Sequence, residues 1–267
     1  MILLLVIAVV SPVAWLGWRD TTQPVVHTVY VEVAGLKREY RILQVADLHG
    51  REFGAGQKRL AALVAGRHYD AVAITGDMCA WHSTRVGPAL EVARVLADTS
   101  RLTVFAKGNN DGDRVAPTLA AAGVHDLDGQ GPVRVDGLLI ETGQRLRSTS
   151  RGIEARLVIA HIPPSPEVLA GMTTSGSVPT VVLSGHMHGG QIRLPFLGGV
   201  ISPPTAQSGW RFRLFPELVG VRVRGAFRDG RTDSYISPGL GGHGPRLGSR
   251  AELTEIVLRP PSVRSGN

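Results

Sequence analysis

Val181-Val-Leu-Ser-Gly-His186-Met-His188-Gly-Gly-Gln191 is the stretch from which the fold can be read. Its apolar opening predicts a buried strand. The strand ends in two imidazoles, set in a loop whose glycines let the backbone approach a ligand closely. A loop histidine is often only a surface residue, so the pair by itself is a moderate metal signal. It gains force because other apolar runs in the chain also end in potential ligands.

Arg41-Ile-Leu-Gln-Val-Ala46 predicts a strand and is followed by Asp47-Leu-His49. Asp70-Ala-Val-Ala-Ile-Thr75 leads to Gly76-Asp77, and Leu102-Thr-Val-Phe-Ala106 leads to Lys107-Gly-Asn109-Asn110-Asp111. Leu157-Val-Ile-Ala160 ends at His161. Five strand-like segments thus each deliver a carboxylate, amide or imidazole at the C-terminal end, where open α/β sheets place their ligand sites. Each residue has an ordinary alternative. Asp47 can cap a helix, Asp77 and the Asn109–Gly112 stretch suit turns, and His161 can be a satisfied core histidine. Taken jointly, the ordinary explanations require five separate accidents at one edge of a sheet. Two Asp, one Asn and four His instead suit a pair of divalent transition metals such as Mn, Fe or Zn.

The series Asp47-x-His49, Gly76-Asp77, Gly108-Asn109-x-Asp111, His161 and Gly185-His186-x-His188 resembles the calcineurin-like metallophosphoesterases. The resemblance runs from about residue 41 to about residue 259. Two stretches are similar to a bacterial, membrane-associated phosphodiesterase branch: Gly185-His-Met-His-Gly-Gly-Gln-Ile-Arg-Leu-Pro195, and Tyr235-Ile-Ser-Pro-Gly-Leu-Gly-Gly-His-Gly-Pro-Arg-Leu247. The resemblance implies a four-layered α/β/β/α sandwich. It also implies that Asp47, His49 and His188 hold one metal, that Asn109, His161 and His186 hold the other, and that Asp77 bridges both. A carboxylate has two oxygens with which to span two ions, whereas an imidazole offers one nitrogen. A metal-bound hydroxide is the implied nucleophile toward phosphorus, with Asn109, Asn110 and Asp111 as the catalytic segment.

One position departs from the family pattern. Many members carry a histidine where Asn110 stands, and that histidine is thought to protonate the leaving group. An amide cannot do so, and losing acid catalysis typically costs about 10²–10⁴-fold. The penalty is smallest for good leaving groups, so Asn110 favours activated diesters or pyrophosphate-type bonds over alkyl monoesters. His82 and His243 are the candidate alternative acids, and Arg193 and Arg246 the candidate phosphate contacts.

Residues 1–18 contain no charged side chain and end in Trp15 and Trp18, with Arg19 next. This is the lower end of what spans a bilayer, with aromatic residues where an interfacial belt lies. No basic residue precedes the run and no Ala-x-Ala site follows it, so a retained single-pass transmembrane anchor is favoured over a cleaved signal peptide. Arg19, Lys37, Arg38 and Arg41 place the positive side after the anchor, whereas relatives in this branch are often exported, so the orientation stays open.

Thr21–Pro24 reads as a polar linker, residues 25–33 as a first strand and residues 41–260 as the phosphoesterase domain, with a tail over 261–267. Helical spacing marks residues 57–66, 88–97, 117–122 and 166–170. Asp136-Gly137 marks a hairpin turn. The Gly- and Pro-rich stretch 198–209 reads as a substrate-side loop. The single cysteine, Cys79, excludes an internal disulfide and reads as a small buried hydrophobe. The net charge of +7 favours an anionic partner, whether a lipid headgroup, a phosphorylated and in one reading lipid-linked substrate, or nucleic acid. A nuclease or cyclic-nucleotide phosphodiesterase is the second functional class. With 5% aromatic residues there is little stacking surface for nucleic acid. A non-catalytic member that keeps the fold is the third class, and the complete ligand set argues against it, because buried carboxylates without a cation are costly.

Overall fold

The computed structural model describes residues 2–81, 83–143, 152–173 and 178–262, without the side chains of residues 2–9. His82 and residues 263–267 lie outside the described residues.

Along the chain, α1 (Ile2–Thr22) precedes β1 (Val25–Glu32) and β2 (Tyr40–Val45). Then come α2 (Lys58–Val64), β3 (Ala71–Ile74), α3 (Gly87–Ala97), β4 (Thr103–Phe105), α4 (Val115–Ala121), β5 (His125–Asp126) and α5 (Leu127–Gln130). The hairpin of β6 (Val133–Val135) and β7 (Leu138–Thr142) turns at Asp136, and β8 (Ala155–Ile159), α6 (Pro166–Met172) and β9 (Thr180–Ser184) follow. Two small antiparallel pairs come next, β10 (Arg193–Leu194) with β11 (Gly198–Gly199) and β12 (Ile201–Ser202) with β13 (Arg213–Leu214). The chain ends through β14 (Gly225–Asp229), β15 (Thr232–Ile236) and β16 (Glu252–Arg259).

Twelve of these strands form two six-stranded sheets, ordered β1-β16-β2-β3-β4-β5 and β14-β15-β9-β8-β7-β6. Strands β2 to β5 run parallel, as do β7, β8, β9 and β15. Parallel strands buried on both faces need near-continuous apolar sequence, which Ala-Val-Ala-Ile of β3 supplies.

The period-two alternation of these runs sets the layers. Ile42, Ala71, Ala73 and Val104 point to a cluster shared with Leu157, Ile159, Val181 and Leu183 of the other sheet. Their neighbours Leu43, Val45, Val72, Ile74 and Phe105 point the opposite way, onto Leu60, Val64, Val92, Leu96 and Leu119 of α2, α3 and α4. On the far face of the second sheet, Val158 and Val182 meet Leu169 of α6. The layers therefore run helix, sheet, sheet, helix. These mixed α/β sheets with parallel strands fit a metallophosphoesterase fold.

The N-terminal region differs from expectation. Helix α1 runs on through Thr22, and its last turn is docked rather than forming a free linker. Asp20 and Thr21 are buried. The Asp20 carboxylate accepts from Gly248 N–H at 2.8 Å, its carbonyl accepts from Ala251 N–H at 2.8 Å, and Thr21 Oγ1 accepts from Arg246 N–H at 2.8 Å. Among the described residues no helix is long and apolar enough to cross a membrane. Half of the uncharged run on which the anchor expectation rests, residues 1–9, has no described side chains.

Candidate metal centre

All five ligand-bearing loops leave the C-terminal ends of central strands. Asp47 and His49 follow β2, Asp77 follows β3 and Asn109 follows β4. His161 follows β8, while His186 and His188 follow β9. Both sheets thus feed one edge of the sandwich, and two groups of donors converge there. Asp47, His49, Asp77 and His188 form one, and Asp77, His161 and His186 the other, with the donor atoms of each lying within 4.8 Å of one another. Asn109 joins the second group, its Oδ1 being 3.0 Å from His161 Nε2. Asp77 Oδ2 is 3.7 Å from His49 Nε2 and 3.3 Å from His161 Nε2, so one carboxylate faces both groups. His49 Nε2 and His188 Nε2 are 2.9 Å apart, and His188 Nε2 is 3.7 Å from Asp47 Oδ1.

The backbone here is unusual. Asp47, His49, Asp77, His186 and His188 all have positive φ, between 49° and 69°. Non-glycine residues in this region are uncommon, and each costs on the order of 1–3 kcal/mol unless its surroundings enforce it. Enforcement comes from hydrogen bonds between loops. Asp47 N–H donates to Gly76 O, His49 N–H to Asp77 O, and Gly185 N–H to His161 O, at 3.0, 2.9 and 3.0 Å. Gly108 is required by close approach, since a Cβ there would lie 2.2 Å from Asp77 Oδ1.

Charge and burial favour metal ligation. Burial lowers His49 and His186 to pKa values of about 4 and holds His188 well below the ordinary range, so three imidazoles are neutral and offer lone pairs. His161 Nδ1 faces Thr75 O at 2.8 Å and His186 Nε2 faces Pro204 O at 3.0 Å, leaving the other ring nitrogen of each as a ligand. Burial and the neighbouring Asp77 charge push Asp47 up to about 7. Burial also acts to lower His161, but the Asp77 hydrogen bond and the charges of Asp77 and Asp47 outweigh it and raise His161 to about 9. For Asp77 those histidine contacts outweigh burial and hold the carboxyl well below the usual range. Carboxylate, imidazole and amide oxygen donors, buried and convergent, fit borderline divalent cations.

These shifts make metal binding pH-dependent. Below about pH 9 His161 carries a proton in the absence of metal, and below about pH 7 Asp47 does too; ligation requires both to lose it. At neutral pH metal binding is expected to release between about one and about two protons, and affinity should rise with pH through both values. Titration calorimetry in buffers of differing ionisation enthalpy reads this directly. A binding heat independent of buffer would refute it.

Several sequence expectations are redrawn by the contacts. Asp111 is buried and does not face the donors. Its oxygens accept from the backbone N–H groups of Asp77, Met78, Cys79 and Gly108, so it shapes the Asp77 loop and is a positioning residue. Asn110 donates its backbone N–H to Asp77 Oδ1 at 2.7 Å and its side-chain amide to Asp77 Oδ2. It grips the shared carboxylate. Arg246 is not a phosphate contact. It is fully buried and donates to the carbonyls of Ser249, Gly241, His188 and Pro238. Arg193 is tied to Gly189 O and Glu217 Oε1, each at 3.0 Å. His243 does reach the site, its ring lying 5.0 Å from that of His49 and 5.6 Å from that of His188. Cys79 is buried as expected. The contributions of Thr75 O and Pro204 O carry no sequence signal, because a backbone carbonyl is available from any residue.

A cavity of about 550 Å³ opens beside the donors. Asp77, Asn109, Asn110, His186, His188 and His243 form its polar floor. Its walls are apolar, from Trp81, Met187, Ile192, Val200, Ile201 and Phe212, with Ser202, Pro203 and Pro204 from the stretch expected to be a substrate-side loop.

No protein-family profile matches the chain. A 72-residue stretch is 36% identical to an uncharacterized metallophosphoesterase, YkuE, of Bacillus subtilis strain 168. The match covers 27% of this chain and 21% of that protein. Together with the buried Asp/His clusters, it supports a metal-dependent phosphoesterase.

Proposed function

We propose that the chain is a membrane-associated phosphodiesterase or pyrophosphate-bond hydrolase that uses two divalent cations. The observation that carries this reading is Asp77, one carboxylate shared by two ligand groups on the floor of a cavity. Asp47, His49 and His188 would hold one ion, and Asn109, His161 and His186 the other. When bound, the ions neutralise phosphoryl charge and make water nucleophilic at neutral pH. Asn110 keeps the shared carboxylate in place with two hydrogen bonds. Asp111 keeps the Asp77 loop in shape. No imidazole stands at position 110, so the departing oxygen leaves with little protonation from that post.

The test is a substrate panel on metal-loaded protein, with and without detergent. Metal-dependent hydrolysis of bis-(p-nitrophenyl) phosphate is expected. Lipid-linked diesters or diphosphates in detergent are expected to outperform cyclic nucleotides and single-stranded nucleic acid. No metal-dependent turnover of any diester or diphosphate overturns the reading, and a preference for nucleotides moves it to the nuclease and cyclic-nucleotide class, with Trp81 and Phe212 as stacking surfaces. Rates should also fall by up to about 10²–10⁴-fold from aryl to alkyl diesters. If a flat profile appears instead, another group supplies the proton, and a profile that steepens in His243→Gln identifies it.

The uncharged run over residues 1–18 supports membrane attachment. Deleting it is expected to convert a protein that needs detergent for extraction into one that alkaline carbonate or high salt releases. Full-length protein recovered in the soluble fraction, with its N-terminus intact, contradicts this.

A further inference from the structure

The segment after the His186/His188 loop has an odd surface. Between residues 192 and 219 the chain makes only two short strand pairs and one turn of 3₁₀ helix, Pro216–Val219. It leaves Phe196, Leu197, Trp210, Phe212, Leu214 and Leu218 exposed, Phe196 completely and the aromatic and leucine side chains from 210 onward by about two thirds. Scattered apolar residues on a surface need no explanation, but several large ones crowded into one short segment point to an interaction site. Arg211 and Arg213 are exposed among them.

The position of this set identifies what covers it. Phe212 belongs both to the exposed set and to the cavity wall, and Ile201 of the wall is exposed as well, so the cavity opens beside these apolar residues. At its base, Arg193 N–H donates to Leu247 O at 2.8 Å and Ile192 bridges to Leu247. One residue earlier, Arg246 N–H donates to Thr21 Oγ1 at the end of α1. The apolar segment and the C-terminal end of α1 are therefore joined through Arg246-Leu247. Trp15 and Trp18, near that end of α1, are more than half exposed. Apolar tips, interspersed arginines and an uncharged run over residues 1–18 that ends in tryptophans all suit the interface of an anionic bilayer.

We infer that residues 192–219 form a bilayer-contacting rim around the mouth of the metal-site cavity, through which an anionic lipid or lipid-linked phosphate ester enters with its hydrocarbon against the apolar wall. This rests on the phosphoesterase reading only for the identity of the bond cleaved; the rim itself is independent of it. Its polar end would reach the donor cluster while its chains remain in the membrane.

The experiment uses the full chain. Leu214→Cys, labelled with a polarity-sensitive nitrobenzoxadiazole probe, is mixed with phosphatidylcholine vesicles with or without phosphatidylglycerol. Cys79 is buried and does not compete for label. Lys37→Cys is the control, since Lys37 is exposed beside Glu154 at the N-terminal ends of β2 and β8, the sandwich edge opposite the site. A blue shift at position 214 with quenching by bilayer-embedded spin labels, absent at position 37 and stronger with phosphatidylglycerol, is expected. With the N-terminal run still holding the chain to the vesicle, the pair Phe196→Asp with Leu218→Asp should weaken the blue shift and the quenching at position 214, because two apolar contacts become charged. The pair should leave hydrolysis of bis-(p-nitrophenyl) phosphate unchanged and slow hydrolysis of a vesicle-borne lipid ester. An unshifted probe at 214, or a probe already shielded without vesicles in a protein that sediments as a dimer, overturns the rim. In either case, intact metal-dependent hydrolysis of the soluble diester leaves the phosphoesterase reading standing. Loss of that hydrolysis alongside a normal vesicle response rejects the reading and keeps the rim.

Discussion

Asp77→Asn is expected to lose at least one metal ion and to reduce turnover by about 10³-fold or more, since even partners behind a ligand are worth about 10–100-fold. The reason is local. Both carboxylate oxygens are engaged as acceptors, by Asn110 and by His161 Nε2, and His49 Nε2 lies 3.7 Å away. An amide has one acceptor oxygen, and its NH₂ would point at a donor already there. It would also remove the charge that keeps His161 raised, so His161 should titrate lower in the metal-free variant. The fold itself should survive, because Asp111 grips the loop through the backbone of residues 77–79. Elemental analysis together with turnover checks this. Normal metal content and normal rates would sink the bridging role.

The largest expected loss of stability comes from Arg246→Met. Arg246 is 0% exposed, and burial lowers its pKa to about 10. Its guanidinium donates to Ser249 O at 2.6 Å, Pro238 O at 2.6 Å, His188 O at 3.0 Å and Ser249 Oγ at 3.2 Å, and also to Gly241 O. Methionine fills much of the volume but leaves these buried acceptors unpaired, at about 1–3 kcal/mol for each that water cannot reach. A net loss of roughly 3–5 kcal/mol is expected, lowering Tm by about 10 °C. Metal affinity should fall too, because His188 loses the contact that holds its carbonyl. Arg246→Lys should rescue little, since an ammonium cannot span carbonyls on separate segments as a planar fork does. A thermal scan of both variants decides it, and a shift below about 2–3 °C would mean that solvent enters and satisfies the site.

The parallel strands were legible because they are buried on both faces and leave unbroken apolar runs. Arg41–Ala46, Asp70–Thr75 and the runs before His161 and His186 match β2, β3, β8 and β9 to within one or two residues. The strand-end residues were legible for a related reason, since parallel strands bring their C-terminal ends to one edge. The hairpin at Asp136 also agrees, with its residue in the left-handed region. Strands β14 and β15 had no such signal, for β14 is half-buried and carries Arg228 and Asp229. The roles of Asn110, Asp111 and Arg246 depend on partners more than thirty residues away or on backbone atoms, and residue type alone does not encode either. Arg246 misled most plainly: a conspicuous arginine near a phosphate-type site reads as an anion contact, yet here it braces three loops from within. The end of α1 looked like a linker because Thr21, Thr22 and Gln23 are polar, and only the distant 246–251 segment explains the burial of Asp20 and Thr21.

Strand β16 lies between β1 and β2, parallel to one and antiparallel to the other. Every residue of β1 thus pairs with a segment more than two hundred positions later. During synthesis the other strands emerge first, at about 5–20 residues per second, and β1 has no neighbour until residue 259 has left the ribosome. Until then both β1 and β2 present bare edges, the condition in which nascent chains associate with one another or are held by chaperones. The same arrangement means that cutting the chain anywhere before Glu252 detaches β1 as well, so a C-terminal truncation that removes β16 should behave as an N-terminal lesion.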